Sequence, residues 1–100
     1  MEKTKTIVRR RRATGELIAL FPELPGDPQG RTCQAYTRGG QHSAVNYGEV
    51  IDQTEPLRWI AHEEQAFLEE LAALGYDIEL RFRQTEDMAK ARRLSAEKRG

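Results

Sequence analysis

The residues in this chain with the clearest capacity for chemistry fall together in "TRGGQHSAVNY", residues 37–47. Gly39 and Gly40 can adopt positive φ without steric cost, so they suit a tight turn. That turn would present Gln41, His42 and Ser43 in succession: an amide, an imidazole and a hydroxyl. Cys33 lies upstream and Asp52 downstream. A thiol, an imidazole and a carboxylate are the parts of a nucleophile, its base and the group that orients the base. Spacing alone does not bring Cys33 to His42, and the strand pattern around Cys33 gives it the part of a small buried apolar residue. His42-Ser43-Ala44 lacks the glycines that flank the serine of a hydrolase elbow. "HEEQA" at 62–66 begins as a zinc-protease helix does, but Ala66 stands where the second histidine belongs. Two histidines and one cysteine cannot by themselves close a structural zinc site, so no metal or cofactor is expected.

A second group is cationic. Arg9, Arg10, Arg11 and Arg12 follow one another and could grip phosphates; Arg81 and Arg83 would extend the patch if the first and last strands are neighbours. Tyr36 or Tyr47 offers a surface for a base to stack on. Charge is segregated on a chain whose net charge is zero. Residues 1–12 hold six Lys/Arg and one Glu, residues 13–80 three Arg and twelve Asp/Glu, and residues 81–100 seven Lys/Arg and three Asp/Glu. Two basic ends therefore flank an acidic middle, which would repel a nucleic-acid backbone. No recognition helix or paired RNA-stacking aromatics are evident. Trp59 stands at the border of an apolar stripe, where it is either an interface anchor or a boundary core residue.

These groups must be held by a small frame. One hundred residues, 38% apolar and 32% charged, suffice for one domain with one core. "TKTIVRRRR" (4–12) and "ELIALF" (16–21), separated by Ala13-Thr14-Gly15, read as a β-hairpin. Four successive arginines alternate between the sheet faces and cannot all enter a core, so they are expected at a sheet edge or on a protruding hairpin end. "PELPGDPQGR" (22–31) reads as irregular loop because its prolines and glycines break regular structure. "TCQAYT" (32–37) reads as a strand with Cys33 and Ala35 on one face, Gln34 and Tyr36 on the other.

The sequence predicts a main helix from about Glu55 to Leu74, capped by Thr54, with Pro56 in its first turn and Gly75 as its stop. Its stripe would be Leu57, Ile60, Ala61, Phe67, Leu68, Leu71 and Leu74. "YDIELRFR" (76–83) alternates cleanly, with Tyr76, Ile78, Leu80 and Phe82 on one face, which predicts a sheet covered on one side only. A second helix opens at Thr85 with few apolar residues; it is expected to be peripheral and to fray past Ser95. The expectation is a single α+β domain, two-layer, with a small mostly antiparallel sheet in β-β-β-α-β-α order packed on one main helix. Residues 1–3 and 96–100 are expected at its frayed ends. No apolar run approaches a membrane span, the basic N-terminus lacks the apolar region of a secretory signal, and the lone cysteine fits a reducing cytoplasm.

Two resemblances bear on function. Gly39-Gly40-Gln41 resembles the motif of peptide-release factors and related peptidyl-tRNA hydrolases, and "GGQHSAVN" is close in spelling to their "GGQHVN" form. The resemblance implies a peptidyl-tRNA hydrolase carried by Gly39, Gly40 and Gln41. It covers about nine residues, and in this chain the motif leads into an acidic segment. Over about residues 15–83 the chain resembles small proteins of phages, plasmids and other mobile elements, through "IALFPE" (18–23), the Pro/Gly loop 25–30, Cys33-x-x-Tyr36 and "GQHS" (40–43). That resemblance implies no activity and a small binding protein by analogy. The resulting expectation is a non-enzymatic cytoplasmic protein with a protein or nucleic-acid partner. It would bind through Arg9–Arg12, Gln41, His42, Ser43 and Trp59. The GGQ hydrolase and a structural homodimer are the alternatives.

Overall fold

The computed structural model describes residues 3–38, 40–57 and 60–99. The first hairpin forms as predicted from β1 (Thr4–Arg11) and β2 (Leu17–Pro25), with Gly15 at φ +76° in the connection. β3 (Cys33–Thr37) and β4 (Gln41–Val45) add a second hairpin beside it. Then come a short helix α1 (Tyr47–Gln53), β5 (Thr54–Pro56), α2 (His62–Ala73), β6 (Ile78–Arg81) and α3 (Glu86–Arg99). Among the described residues the sheet has six strands, in the order β4-β3-β2-β1 followed by two short strands on the far side of β1. β5 lies antiparallel to Arg9–Arg11, and β6 parallel to Thr4–Ile7. The architecture is α+β, with a mostly antiparallel sheet and, among the described residues, three helices. None of the helices among the described residues is long and apolar enough to cross a membrane.

The sheet is covered on both faces, not one. Period-two alternation sends Val8, Leu17, Ala19, Phe21 and Tyr36 to the face where Phe67 and Leu71 of α2 pack. It sends Ile7, Ile18, Leu20, Cys33 and Ala35 to the opposite face, which Val50 of α1 covers. α1 escapes prediction because it is short and contains Gly48; the Asn46 side chain caps it by accepting the Glu49 amide at 3.1 Å. α3 is integral rather than peripheral. Met88, Arg92 and Ala96 recur every four residues along one buried stripe, and the helix runs on to Arg99.

The main helix begins later than its cap signals suggest. Thr54 and Pro56 belong to β5, and the helix starts at His62. Thr54 is claimed by a long-range partner: its hydroxyl accepts from Arg9 Nε at 2.6 Å and donates to the Val50 carbonyl at 2.7 Å. The stop is as predicted. Gly75 takes φ +102°, its amide donates to Ala72 O, and the Tyr76 amide donates to Leu71 O, the paired bonds of a Schellman ending. Strand β2 continues through Pro22, where a loop was expected. The β2–β3 register shifts between Phe21 and Pro25, so the missing proline N–H interrupts no regular ladder. Phe82 leaves the alternation of β6 and is 72% exposed.

Candidate functional site

The arginine run does not protrude. β1 is an interior strand, with β2 on one side and β5 and β6 on the other. Alternation turns Arg9 to the α1 side, where burial lowers its pKa and its guanidinium donates to Thr54 Oγ1 and, at 3.0 Å, to the Thr54 carbonyl. Arg10 turns to the α2 side. Its Nη2 donates to Glu64 Oε1 at 2.5 Å, and Glu63 lies 3.6 Å away. Arg11 is half-buried and Arg12 exposed, the latter reaching the Asp52 carbonyl at 3.5 Å. Two of the four expected phosphate-binding side chains are thus committed inside the protein.

Arg10 and the β3–β4 turn meet at one end of the sheet. Glu63 joins them: one carboxylate oxygen faces Arg10, and the other lies 3.4 Å from Arg38 in the turn. The Arg38 amide also donates to the Leu17 carbonyl. Such half-exposed pairs contribute little each, about 0–1 kcal/mol, but they fix where the turn sits.

Glu64 is buried in the first turn of α2, at 7% exposure. Its own backbone amide holds the carboxylate and keeps its pKa below the usual range. Burial opposes this, and the hydrogen bond and charge of Arg10 assist it. A carboxyl with a depressed folded pKa stabilises the fold above its unfolded value near 4.5 and loses that contribution as pH falls through the folded value. Glu64→Gln is therefore expected to cost about 1 kcal/mol at pH 7. The gap from wild type should close as the pH falls below 4.5 and through the depressed folded pKa, as read from urea midpoints across the range.

Of the GGQ residues, Gly40 lies in the second hairpin's connection and Gln41 opens β4. Residues 38–40 link Thr37 to Gln41, Gly40 takes φ +103°, and its amide donates to the Thr37 carbonyl. A short loop with a left-handed glycine at its end is a common way to close a hairpin. Gly39 lies outside the described residues, as does Trp59. Gln41 is exposed at the start of β4. His42 pairs in register with Tyr36, their rings 4.8 Å apart, and its Nε2 lies 3.1 Å from the Tyr76 hydroxyl. Tyr36 in turn donates to Glu70, and that bond, followed by burial and the nearby negative charge, pushes its pKa up, so it stays a donor.

His42 thus belongs to an aromatic rim between β4 and α2. Cys33 faces the other side of the sheet, in the cluster with Ala35 and Val50, and burial raises its pKa. The two do not meet, and the thiol is neither ionised nor accessible as a nucleophile would be. Among the described residues, no three His, Cys, Asp or Glu side chains converge as a metal site requires.

Beside the rim is an open cleft of about 270 Å³ lined by Pro25, Gly26, Gln34, His42, Ser43 and Ala44. Gln34 holds its wall by donating to the Pro25 carbonyl at 3.2 Å. Gly26 has no room for a side chain: a Cβ there would lie 2.7 Å from the Ala44 Cβ. The cleft opens along β4, and β4 is the sheet's outer strand, with β3 its only pairing partner among the described residues. Residues 41–44 are all exposed. The sequence reading missed Pro25, Gln34, Arg38, Glu63 and Tyr76. The sequence predicts a turn at Gly39-Gly40 but assigns no strand after it; pairing 41–45 back onto 33–37 would have set Tyr36 opposite His42 and revealed an edge strand. No protein-family model matches the chain, and neither does any curated protein or solved structure.

Proposed function

We propose that this chain is a small non-enzymatic binding protein of the cytoplasm, of the mobile-element kind that its sequence resembles. It works by taking an extended polypeptide strand onto the outer edge of β4. One observation carries the reading: Gln41–Val45 is an exposed edge strand with none of the usual obstacles to further pairing. Natural edges are blocked by lysine, proline, inward charge or a bulge. Here the residues are Gln, His, Ser, Ala and Val, and the register with β3 runs without a shift. Main-chain hydrogen bonds would supply affinity, and the cleft at Gln34, His42 and Ala44 would select an alternate side chain of the incoming strand.

A protein partner is favoured over nucleic acid. Arg9 is spent on Thr54 and Arg10 on Glu64, while Glu63 stands beside Arg38. The GGQ hydrolase is disfavoured because Gly40 closes a short turn and His42 is engaged with Tyr76. The test is selection from a displayed library of unstructured decapeptides, followed by hydrogen exchange on the bound protein. Selected peptides should slow exchange of amides within residues 41–45 at least about tenfold, and Ser43→Lys should abolish capture by charging the edge. Peptides that protect amides elsewhere, or a library that yields no binder, would exclude the β4 edge as the binding surface.

A further inference from the structure

Resting on the reading of β4 as a binding edge, we infer that the strand which occupies it is β4 of a second copy of this chain. The copies would pair antiparallel about a two-fold axis at Ser43. An isologous contact requires a surface complementary to itself, and β4 meets that requirement in three ways.

The first is charge. Arg38 stands in the turn before β4 and Glu49 in the first turn of α1 after it, while the five strand residues between carry no charged side chain. Arg38 already faces Glu63, so the turn end carries no uncompensated cation, and antiparallel pairing opposes no like charges along the strand.

The second is shape. With Ser43 on the axis, Gln41 falls opposite Val45 and His42 opposite Ala44. His42 and Ala44 share the α2 side of the sheet, where His42 packs against Tyr36. The imidazole of each copy then lies over the smallest side chain of the other, beside the cleft of about 270 Å³ walled by Pro25, Gly26 and Gln34. The axis itself passes between two serines, whose hydroxyls can donate and accept in turn. The third is continuity: the β3–β4 register is unbroken, so two six-stranded sheets can join into one.

The seam is short. Five residues span roughly 17 Å, which puts the contact at the low end of specific interfaces and its Kd on the order of tens of micromolar. Sedimentation of the whole chain from about 1 to 500 µM should show a monomer passing to a dimer, with no larger species because the contact closes on itself. Ser43→Lys and Ser43→Glu should each weaken association at least about tenfold through like charges at the axis, and an equimolar mixture of the two should restore it as a heterodimer. Ser43→Cys should cross-link on mild oxidation, while buried Cys33 stays reduced.

A mixture that fails to restore association, or a Ser43→Cys chain that stays monomeric on oxidation, overturns the inference. Should the chain remain monomeric at 500 µM while a selected peptide still protects the β4 amides, the second copy is excluded and the binding edge stands. Loss of both removes the edge reading as well.

Discussion

Arg92→Ala is expected to lower the stability of the fold by about 3 kcal/mol, a fall of about 15 °C in Tm for a domain of this size. Arg92 sits on α3 with 6% exposure, between Met88 and Ala96 on the helix's buried stripe. Its guanidinium donates to the Gly30 carbonyl at 2.9 Å, the Pro22 carbonyl at 3.0 Å and the Gln84 side chain at 2.5 Å. Those bonds join Pro22 within β2, the loop after that strand and the approach to α3. Truncation leaves two backbone carbonyls without their donor, and a buried acceptor left unmatched costs about 1–3 kcal/mol.

The helix cannot slide to repair the loss. Gly30 sits at φ +71°, and even a methyl group there would lie 3.0 Å from the Arg93 Cα, so the loop and helix already touch through backbone. Lysine should recover little, because a point charge cannot reach three acceptors that diverge around a planar fork. Urea unfolding of wild type, Arg92→Lys and Arg92→Ala measures this. A loss below about 0.5 kcal/mol for the alanine variant would mean that α3 is held by its apolar residues alone.

Arg92 also shows where the sequence is legible and where it is not. Met88, Arg92 and Ala96 are four residues apart, so a helix of the right phase could be read, but an arginine in the stripe argues against burial unless its acceptors are known. Those acceptors are backbone carbonyls at Pro22 and Gly30, far away along the chain. Arg9 repeats the lesson, since its partner Thr54 is 45 residues distant. Thr54, Glu55 and Pro56 carry the local signals of a helix start, yet pairing with Arg9–Arg11 makes them a strand.

By contrast, signals complete within a few residues read correctly: the β1–β2 hairpin, the division of Cys33 and Tyr36 between faces, and the Gly75 stop. The candidate site lies between these cases. Gln41, His42 and Ser43 stand out after the expected Gly-Gly turn, but their place on an open edge depends on seeing that 41–45 returns as a strand along β3.

Phe67→Ala should cost more still, about 4 kcal/mol, as expected for a large aromatic lost from a packed core. α2 covers its face of the sheet through only two fully buried apolar side chains, Phe67 and Leu71, both at 0% exposure. The Phe67 ring lies 6.0 Å from that of Tyr36 in a stacked arrangement, within the cluster of Val8, Leu17, Ala19 and Phe21. Native domains of about 100 residues are stable by about 5–15 kcal/mol, so this single change removes a large share.

Phe67→Leu keeps most of the volume and should cost only about 1–1.5 kcal/mol. The two variants also separate packing from recognition. Tyr36 leans on Phe67 from one side and on His42 from the other, so loss of the Phe67 ring frees the rim that positions His42 beside Ala44. Main-chain pairing of β4 with β3 does not depend on that rim. If the edge binds by backbone and the cleft selects the side chain, Phe67→Leu should keep peptide capture and relax its choice of residue opposite Ala44. A variant that folds fully yet captures nothing would show that the rim, not the strand edge, holds the partner.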